Sequence, residues 1–218
     1  MNTEISRLYR LRFKKDIELR NQIWSVLCKN FFQKYIRNSD TVCDIGAGYC
    51  EFINNIHARV KIAIDLNPET VKYANSGISV VICSSNNLPK RLQNKVDVSF
   101  ASNFFEHLPS KEDLAKTLVQ IKKILKRDGK LVVLMPNLRY VGAAYWDFLD
   151  HQLPLTDKSM VEALELNGFE ILEKRSKFLP YSTKGKLPKW KIMVRLYLMF
   201  PFIHQIFGKQ SLIVAKKK

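Results

Sequence analysis

The sequence predicts an α/β fold built on a mostly parallel sheet, and three observations lead to this prediction. Short apolar runs that suit buried strands alternate along the chain with segments of helical periodicity. A glycine turn follows the first apolar run, and a carboxylate ends the second. The chain has 218 residues and is 46% hydrophobic, which is enough for one domain with its own core. Alternation of this kind gives a parallel sheet with helices on both faces.

The individual elements follow from apolar periodicity and from capping residues. Residues 4–37 place apolar side chains at helical spacing, which predicts one or two amphipathic helices before the first strand. Asn67 with Pro68, and Ser110, are suited to cap the helices that follow them. The pair Asp128-Gly129 is expected to end a helix and turn into the next strand. Strands are expected at 41–46, 60–65, 78–83, 96–101, 130–135, 169–178 and 211–216, and helices at 50–57, 68–76, 111–126 and 157–167, with a short one near 87–94.

The net charge of +16 is unevenly distributed. Residues 1–40 hold nine Lys/Arg against four Asp/Glu, and 41–173 hold fifteen against sixteen. Residues 174–218 hold twelve Lys/Arg and no acid. A basic end of this kind indicates a separate surface for an anionic partner, although a solubilising tail would have the same composition.

No segment has the pattern of a targeting or membrane-spanning element. The first fifteen residues contain no apolar run, and no stretch of about 18 uncharged apolar residues occurs. The four cysteines form no C-x-x-C pair, which favours small buried side chains in a reducing compartment. We therefore expect a cytoplasmic protein without a secretory leader.

The glycine turn predicts a nucleotide-like cofactor. Gly46 and Gly48 lack a Cβ, so the backbone can approach a ligand closely, and the next helix directs its first N–H groups to the same place. Asp65 ends the second strand, where a carboxylate suits the two hydroxyls of a ribose; its alternative role is a helix-capping acid. Glu51 occupies the third position of the G-x-G-x-x-G frame, which argues against a pyrophosphate but allows a cofactor with a cationic amino-acid tail.

Six ordered motifs carry a family resemblance over about residues 41–136. They are Asp44-Ile45-Gly46-Ala47-Gly48, Ile64-Asp65-Leu66-Asn67-Pro68, Asn87-Leu88-Pro89, Asp97-Val98-Ser99-Phe100, Phe105-Glu106-His107-Leu108 and Leu125-Lys126-Arg127-Asp128-Gly129-Lys130-Leu131. In this order and spacing the chain resembles the class I S-adenosylmethionine-dependent methyltransferases. The resemblance implies S-adenosylmethionine as cofactor, S-adenosylhomocysteine as product, and a Rossmann-like doubly wound, mostly parallel seven-stranded sheet with an antiparallel last strand. It also implies a single methyltransferase domain over 1–218.

We expect this domain to have three parts: an N-terminal helical cap at 1–40, a cofactor-binding core at 41–136, and a substrate-side half at 137–218 that contains a basic insertion at 180–208. The additions are expected to recognise the substrate, because functional residues concentrate on segments carried by a rigid scaffold.

The resemblance also implies roles for matching residues. Gly46, Ala47 and Gly48 would line the methionine part, with Asp44 beneath it to help hold the ammonium group. Asp65 would bind both ribose hydroxyls, and Leu66 would pack on the adenine. Three further polar residues and a histidine would complete the cofactor site: Ser84, Ser85, Asn103 and His107. Ser84 and Ser85 depart from the family pattern, because a hydroxyl accepts a hydrogen bond from the adenine amine more weakly than a carboxylate does.

Transfer of a methyl group to a hydroxyl also requires a base. The candidates are His151, which follows Asp150 after an aromatic stretch, and His107, for which the family favours a cofactor-lining role. A loop-anchoring role for His151 is equally open, and no metal-binding group is expected. Nucleic acid is not expected as the substrate, because 102–105 lacks the Asn/Asp-Pro-Pro-aromatic patch of base-methylating relatives.

The segment 184–207 combines five Lys/Arg with many apolar and aromatic residues. It is too short to span a bilayer and is interrupted by Arg195 and Pro201, but it could lie at the inner membrane surface or close the substrate pocket. Residues 150–156 and 208–210 resemble methyltransferases of bacterial cell-surface glycan assembly. We therefore expect a hydroxyl-bearing acceptor, such as a sugar or an anionic, lipid-linked glycan. The alternatives are a small quinone-precursor-like acceptor and a non-catalytic cofactor-binding protein.

Overall fold

The computed structural model describes residues 17–181 and 191–218. Its centre is a seven-stranded sheet with the strand order β3-β2-β1-β4-β5-β7-β6. The strands are β1 (Thr41–Ile45), β2 (Val60–Asp65), β3 (Ile78–Ile82), β4 (Val96–Ser102), β5 (Leu125–Pro136), β6 (Phe169–Leu179) and β7 (Gln210–Lys217). The helices are α1 (Ile17–Asn30), α2 (Glu51–Asn55), α3 (Lys111–Ile124), α4 (Leu138–Val141), α5 (Asp157–Leu166), α6 (Lys191–Met199) and α7 (Pro201–Phe207).

The topology confirms the predicted fold class. Strands β1 to β5 pair in parallel, and β7 lies antiparallel between β5 and β6. The order reverses at β1, where β2 lies on one side and β4 on the other. A crevice outside the carboxyl ends of the strands at such a switch point is the usual ligand site of an open α/β sheet.

Alternate residues of each strand enter two hydrophobic cores, one on each face of the sheet. In β1, Cys43 and Ile45 join the core that α3 and α5 cover. Val42 joins the second core, which α1, α2 and α6 cover. The second core is rich in aromatic side chains, and the rings of Phe52 and Phe100 stack in it with centroids 3.6 Å apart.

The predicted helix caps are present. The Asn67 side chain accepts a hydrogen bond from the N–H of Glu69, and Ser110 accepts one from the N–H of Asp113. The predicted helix at 68–76 is wrong, because the segment forms only a 3-10 turn at Pro68–Lys72. The short predicted helix near 87–94 is likewise a 3-10 turn, at Lys90–Leu92.

The predicted end of the long helix is also wrong. Helix α3 stops at Ile124, because Leu125 already pairs with Val96 as the first residue of β5. Asp128-Gly129 therefore lies within β5, at the register shift between its two paired segments, and Asp128 has φ 60°. Strand pairing to β4 overrides the helical pattern that continues past residue 124.

The two ends of the chain are partly described. Of the helices predicted over 4–37, α1 and a 3-10 turn at Phe32–Tyr35 are observed, and residues 1–16 lie outside the described part. In the basic insertion, α6 and α7 are observed and residues 182–190 lie outside it. None of the helices in the described ranges is long and apolar enough to cross a membrane.

Candidate functional site

The glycine turn leaves β1 at its carboxyl end and is hydrogen-bonded to β2. Gly46 has φ 71° and Gly48 has φ 51°, both in the left-handed region that favours glycine. The N–H groups of Gly46 and Ala47 donate to the carbonyl of Ile64 at 2.8 and 3.1 Å. The ring of Phe104, which follows β4, packs against Gly46 so closely that a Cβ at this position would collide with it. The turn is thus fixed by its two neighbouring strands.

Asp65 joins the end of β2 to this turn. One carboxylate oxygen accepts the N–H of Gly48 and the other accepts the N–H of Asn67, each at 2.7 Å. Burial raises the pKa of Asp65, and the backbone N–H groups around it act in the opposite direction. Each carboxylate oxygen has a second lone pair that can accept from a ligand hydroxyl. The neighbouring Leu66 side chain is 41% exposed, so its apolar surface is accessible to a ligand.

Three acidic side chains lie near the glycine turn: Asp44, Glu51 and Asp65. Burial raises the pKa of Asp44 well above its usual range, and the charges of Glu51 and Asp65 raise it further. Glu51 pairs with Arg20 of α1, with 2.8 Å between Nη2 and Oε1. A site with this balance suits a cationic ligand such as a sulfonium with an ammonium tail, and it disfavours a phosphate. The residues present therefore fit S-adenosylmethionine.

The other predicted cofactor residues lie on the same edge of the sheet, with different surroundings. The Ser84 hydroxyl donates to Asn86 at 2.8 Å, and the buried Ser85 hydroxyl lies 2.9 Å from that of Thr117 in α3. Asn103 is exposed with φ 47°, and its N–H donates to the carbonyl of Leu134 in β5 at 2.8 Å. The engagement of Ser85 with α3 leaves Ser84 and Asn103 as the more accessible polar groups.

A cluster of ionisable side chains forms where two distant segments meet. A 3-10 turn at Phe105–His107 follows β4, and the Nδ1 atom of His107 lies 3.0 Å from the carbonyl oxygen of Asp150 and 3.3 Å from its Oδ2. The ring of His151 lies 5.0 Å from that of His107. The structure thus brings together the three residues that the sequence had suggested for the chemistry: His107, Asp150 and His151.

The segment that carries Asp150 and His151 is held in place by both side chains and backbone. His151 stacks on Phe148 with centroids 5.1 Å apart and contacts the buried ring of Tyr145 at 4.7 Å. The Tyr145 hydroxyl donates to the carbonyl of Leu153, and the N–H groups of Gln152 and Leu153 donate to the carbonyl of Glu106. These contacts fix the position of His151 relative to His107.

Glu106 is a member of this cluster that sequence reasoning did not single out. Burial raises its pKa to about 7, and within the described residues its Oε2 atom has no hydrogen-bond partner. Glu106, His107 and His151 each place one ligand atom within 4.8 Å of the others, a spacing that could hold a metal ion. The sequence had suggested no such group. The signal that could have found it is the adjacent Glu106-His107 pair after a predicted strand.

A comparison with known protein families gives a match in the central part of the chain. Residues 43–133 match a family model described as a methyltransferase domain. No match is found among the curated proteins. The matched range begins in β1 and ends in β5, so it contains the glycine turn, Asp65 and His107.

Solved structures share the whole fold at low sequence identity. A SAM-dependent methyltransferase from Thermotoga maritima is 16% identical, with 96% of this chain and 98% of that chain covered and a TM-score of 0.69. One from Archaeoglobus fulgidus is 20% identical, with 94% and 99% covered and a TM-score of 0.66. The [4+2]-cyclase SpnF is 16% identical, with 82% and 74% covered and a TM-score of 0.57. Likeness of structure therefore describes the fold, and the family match indicates the reaction class.

Proposed function

We propose that this S-adenosylmethionine-dependent methyltransferase transfers the methyl group of its cofactor to a hydroxyl of a sugar or a lipid-linked glycan. The single observation that supports a hydroxyl acceptor is the cluster of His107, Asp150 and His151 beside the carboxyl end of β4. A hydroxyl must lose its proton as its oxygen attacks carbon, whereas a neutral amine already carries the lone pair it needs. A site with an oriented imidazole is built for the first case.

The roles of the residues follow from this geometry. When bound, S-adenosylmethionine supplies a methyl group activated by its sulfonium. Asp65 holds the ribose, while Gly46 and Gly48 allow the methionine part to lie against the backbone. As the acceptor oxygen takes the methyl group and S-adenosylhomocysteine is left, an imidazole nitrogen of the cluster would accept the hydroxyl proton. The chain contributes alignment for in-line attack and the proton acceptor.

The geometry favours His107 over His151 as this acceptor. A carboxylate next to Nδ1 fixes the tautomer of an imidazole and leaves Nε2 able to accept a proton, and Asp150 stands in that position for His107. His151 is buried between Phe148 and Tyr145 and would act as a positioning residue for His107. The pairing that the sequence suggested, Asp150 with His151, remains a prediction.

Exposed apolar side chains next to the cluster support a sugar acceptor. Trp146 and Leu149 precede Asp150 and are 53% and 89% exposed. The C–H face of a pyranose packs well on an aromatic ring such as that of Trp146. The absence of any acid over 174–218 would favour an anionic acceptor, such as a sugar carried on a diphosphate.

An acceptor screen tests this proposal. Release of S-adenosylhomocysteine is measured with nucleotide-linked hexoses, polyprenyl-diphosphate-linked sugars and dihydroxybenzoates, and the product is examined by NMR for an O–CH₃ group. Turnover with a sugar is expected. Turnover with dihydroxybenzoates alone would instead establish the quinone-precursor alternative, and cofactor binding without turnover on any of them would indicate a non-catalytic protein.

The proton acceptor is tested with the acceptor found in that screen. His107→Gln is expected to lower kcat by about 10²- to 10⁴-fold, a far larger change than in the affinity for S-adenosylhomocysteine, because the amide can still line the cofactor but cannot accept the proton. His57→Gln is the matched control, since His57 is exposed at the opposite edge of the sheet. A His107→Gln enzyme that turns over at the normal rate would remove the support for this mechanism.

A further inference from the structure

We propose that α6 and α7 form a membrane-binding surface that docks on an anionic lipid bilayer. Their outer apolar face consists of five large side chains that are 40% to 68% exposed: Ile192, Leu196, Met199, Phe202 and Ile206. The proposal goes beyond the methyl-transfer function, and it is tested without cofactor or acceptor.

Both helices are anchored, so their exposed faces are fixed surfaces. The inner side of α6 packs on the second core through Val194, Tyr197 and Leu198. The Tyr197 hydroxyl donates to the carbonyl of Phe178 in β6, and the buried His204 of α7 lies 2.9 Å from the carbonyl of Tyr197 through Nε2. Because the inner sides of both helices are held in this way, the outer side chains stay on the surface of the protein.

The exposed side of α6 continues onto α7. Ile192, Leu196 and Met199 follow the i, i+4, i+7 spacing of one helix face, and Phe202 and Ile206 follow the i, i+4 spacing in the next helix. The rings of Phe200 and Phe202 lie 5.9 Å apart and bridge the junction between the two helices. Monomeric proteins rarely leave so large a run of apolar side chains in water unless it binds something.

The charge of this region identifies the occupant. Lys191 and Arg195 are exposed on α6, and neither has an ion-pair partner among residues 17–181 and 191–218. The chain carries twelve Lys/Arg and no acid from 174 to 218. Apolar side chains beside cations match the acyl and headgroup layers of an anionic leaflet. A second copy would bring the same cationic segment against itself, which disfavours a dimer through this face.

The position of the helices in the fold relates this surface to the site. Strand β6 runs parallel to β5, so the chain leaves β6 at the carboxyl edge of the sheet before it forms α6 and α7. The glycine turn and the His107 cluster lie at the same edge. The chain returns at Gln210, which pairs with Pro136 at the end of β5. Docking through the outer apolar face would hold this edge near the bilayer, within reach of an acceptor anchored there.

Vesicle flotation tests the proposal. The full chain is mixed with vesicles of phosphatidylcholine alone, or of equal parts phosphatidylcholine and phosphatidylglycerol. Binding is expected on the anionic vesicles and is expected to decrease with salt. The double variant Phe202→Ser/Ile206→Ser is expected to bind at least about tenfold more weakly, because each side chain would lose most of its apolar burial in the interface.

Matched variants separate the two components of binding. Leu166→Ser/Leu172→Ser removes two exposed leucines elsewhere and is expected to bind vesicles normally. Lys191→Gln/Arg195→Gln is expected to weaken binding about tenfold or more on anionic vesicles only, and Lys111→Gln/Lys116→Gln on α3 is its control. Circular dichroism and S-adenosylhomocysteine binding confirm that each variant is folded.

Two results would overturn the proposal. The first is equal recovery of the wild type with and without phosphatidylglycerol vesicles. The second is sedimentation velocity showing a dimer that Phe202→Ser/Ile206→Ser dissociates, because this would assign the outer apolar face to a second copy. Either result would leave the methyl-transfer proposal intact, since that is measured on acceptors in solution.

Discussion

Replacing Asp65 by asparagine is expected to weaken the binding of S-adenosylmethionine and S-adenosylhomocysteine by similar factors. The side chain is nearly isosteric, so an oxygen can still accept one of the two backbone N–H groups that Asp65 holds at 2.7 Å. The amide cannot accept from both ribose hydroxyls, because one of its two polar atoms is a donor. Both ligands lose the same contact, since they share the ribose.

The size of the effect follows from the contact that is lost. A hydrogen bond to a charged group contributes about 1.5–3 kcal/mol, and each 1.4 kcal/mol corresponds to a factor of ten in Kd. One such bond is removed, so we expect Kd to rise by about 10- to 100-fold for both ligands. Isothermal titration calorimetry measures both constants directly.

The control is Asp97→Asn. Asp97 accepts the N–H of Thr41 at 2.8 Å and pairs with Lys126 at 2.7 Å at the amino edge of the sheet. This substitution is expected to lower the melting temperature and leave both Kd values unchanged. A folded Asp65→Asn protein with wild-type affinity would show that the ribose lies elsewhere and would refute the assignment.

Three further predictions concern stability and the histidine cluster. Glu106 holds its proton up to a pKa of about 7 in the folded chain but releases it near 4.5 when unfolded, so its contribution to stability is present below pH 4.5 and is lost as the pH rises to 7. Glu106→Gln removes this titration. In urea unfolding, the free energy of unfolding of the variant should therefore rise by about 3 kcal/mol relative to that of the wild type between pH 4.5 and 8. A difference that does not change with pH would contradict the burial of an ionisable Glu106. Gly46→Ala should lower the free energy of unfolding by about 1–3 kcal/mol more than Gly77→Ala does, because both glycines have positive φ but only Gly46 has an aromatic ring against it. Equal melting temperatures of the two variants would count against that packing. Turnover should survive EDTA if His107 accepts the proton, whereas a loss restored by a divalent cation would assign Glu106, His107 and His151 to a metal ion.

The sequence predicted the sheet well because buried strands have a strong local signal. Seven strands were expected, and residues 17–181 and 191–218 form seven, with the last one antiparallel. Predictions at the ends of elements were less successful. Lys126 and Arg127 suit a helix locally, but pairing of Leu125 with Val96 ends α3 two residues earlier than predicted. This pairing depends on a strand nearly thirty residues away in the sequence, so the local sequence pattern does not predict it.

The candidate site was predictable to the extent that its residues follow strands. Asp65 and Gly46 come directly after β2 and β1, so their meeting at one edge follows from parallel pairing. The contact between His107 and Asp150 joins residues that are 43 positions apart, and the periodicity of the sequence does not predict such a contact. The pairing of Arg20 with Glu51 is of the same kind, because it depends on how α1 lies against α2.

The proposed mechanism requires S-adenosylmethionine to lie at the carboxyl edge of β1 and β2, with its sulfur directed to His107. A crystal structure with S-adenosylhomocysteine bound tests this most directly. We predict both ribose hydroxyls on the carboxylate of Asp65 and the open side of the sulfur turned towards His107. A ribose bound away from Asp65, or a sulfur with its open side turned from His107, would contradict the account.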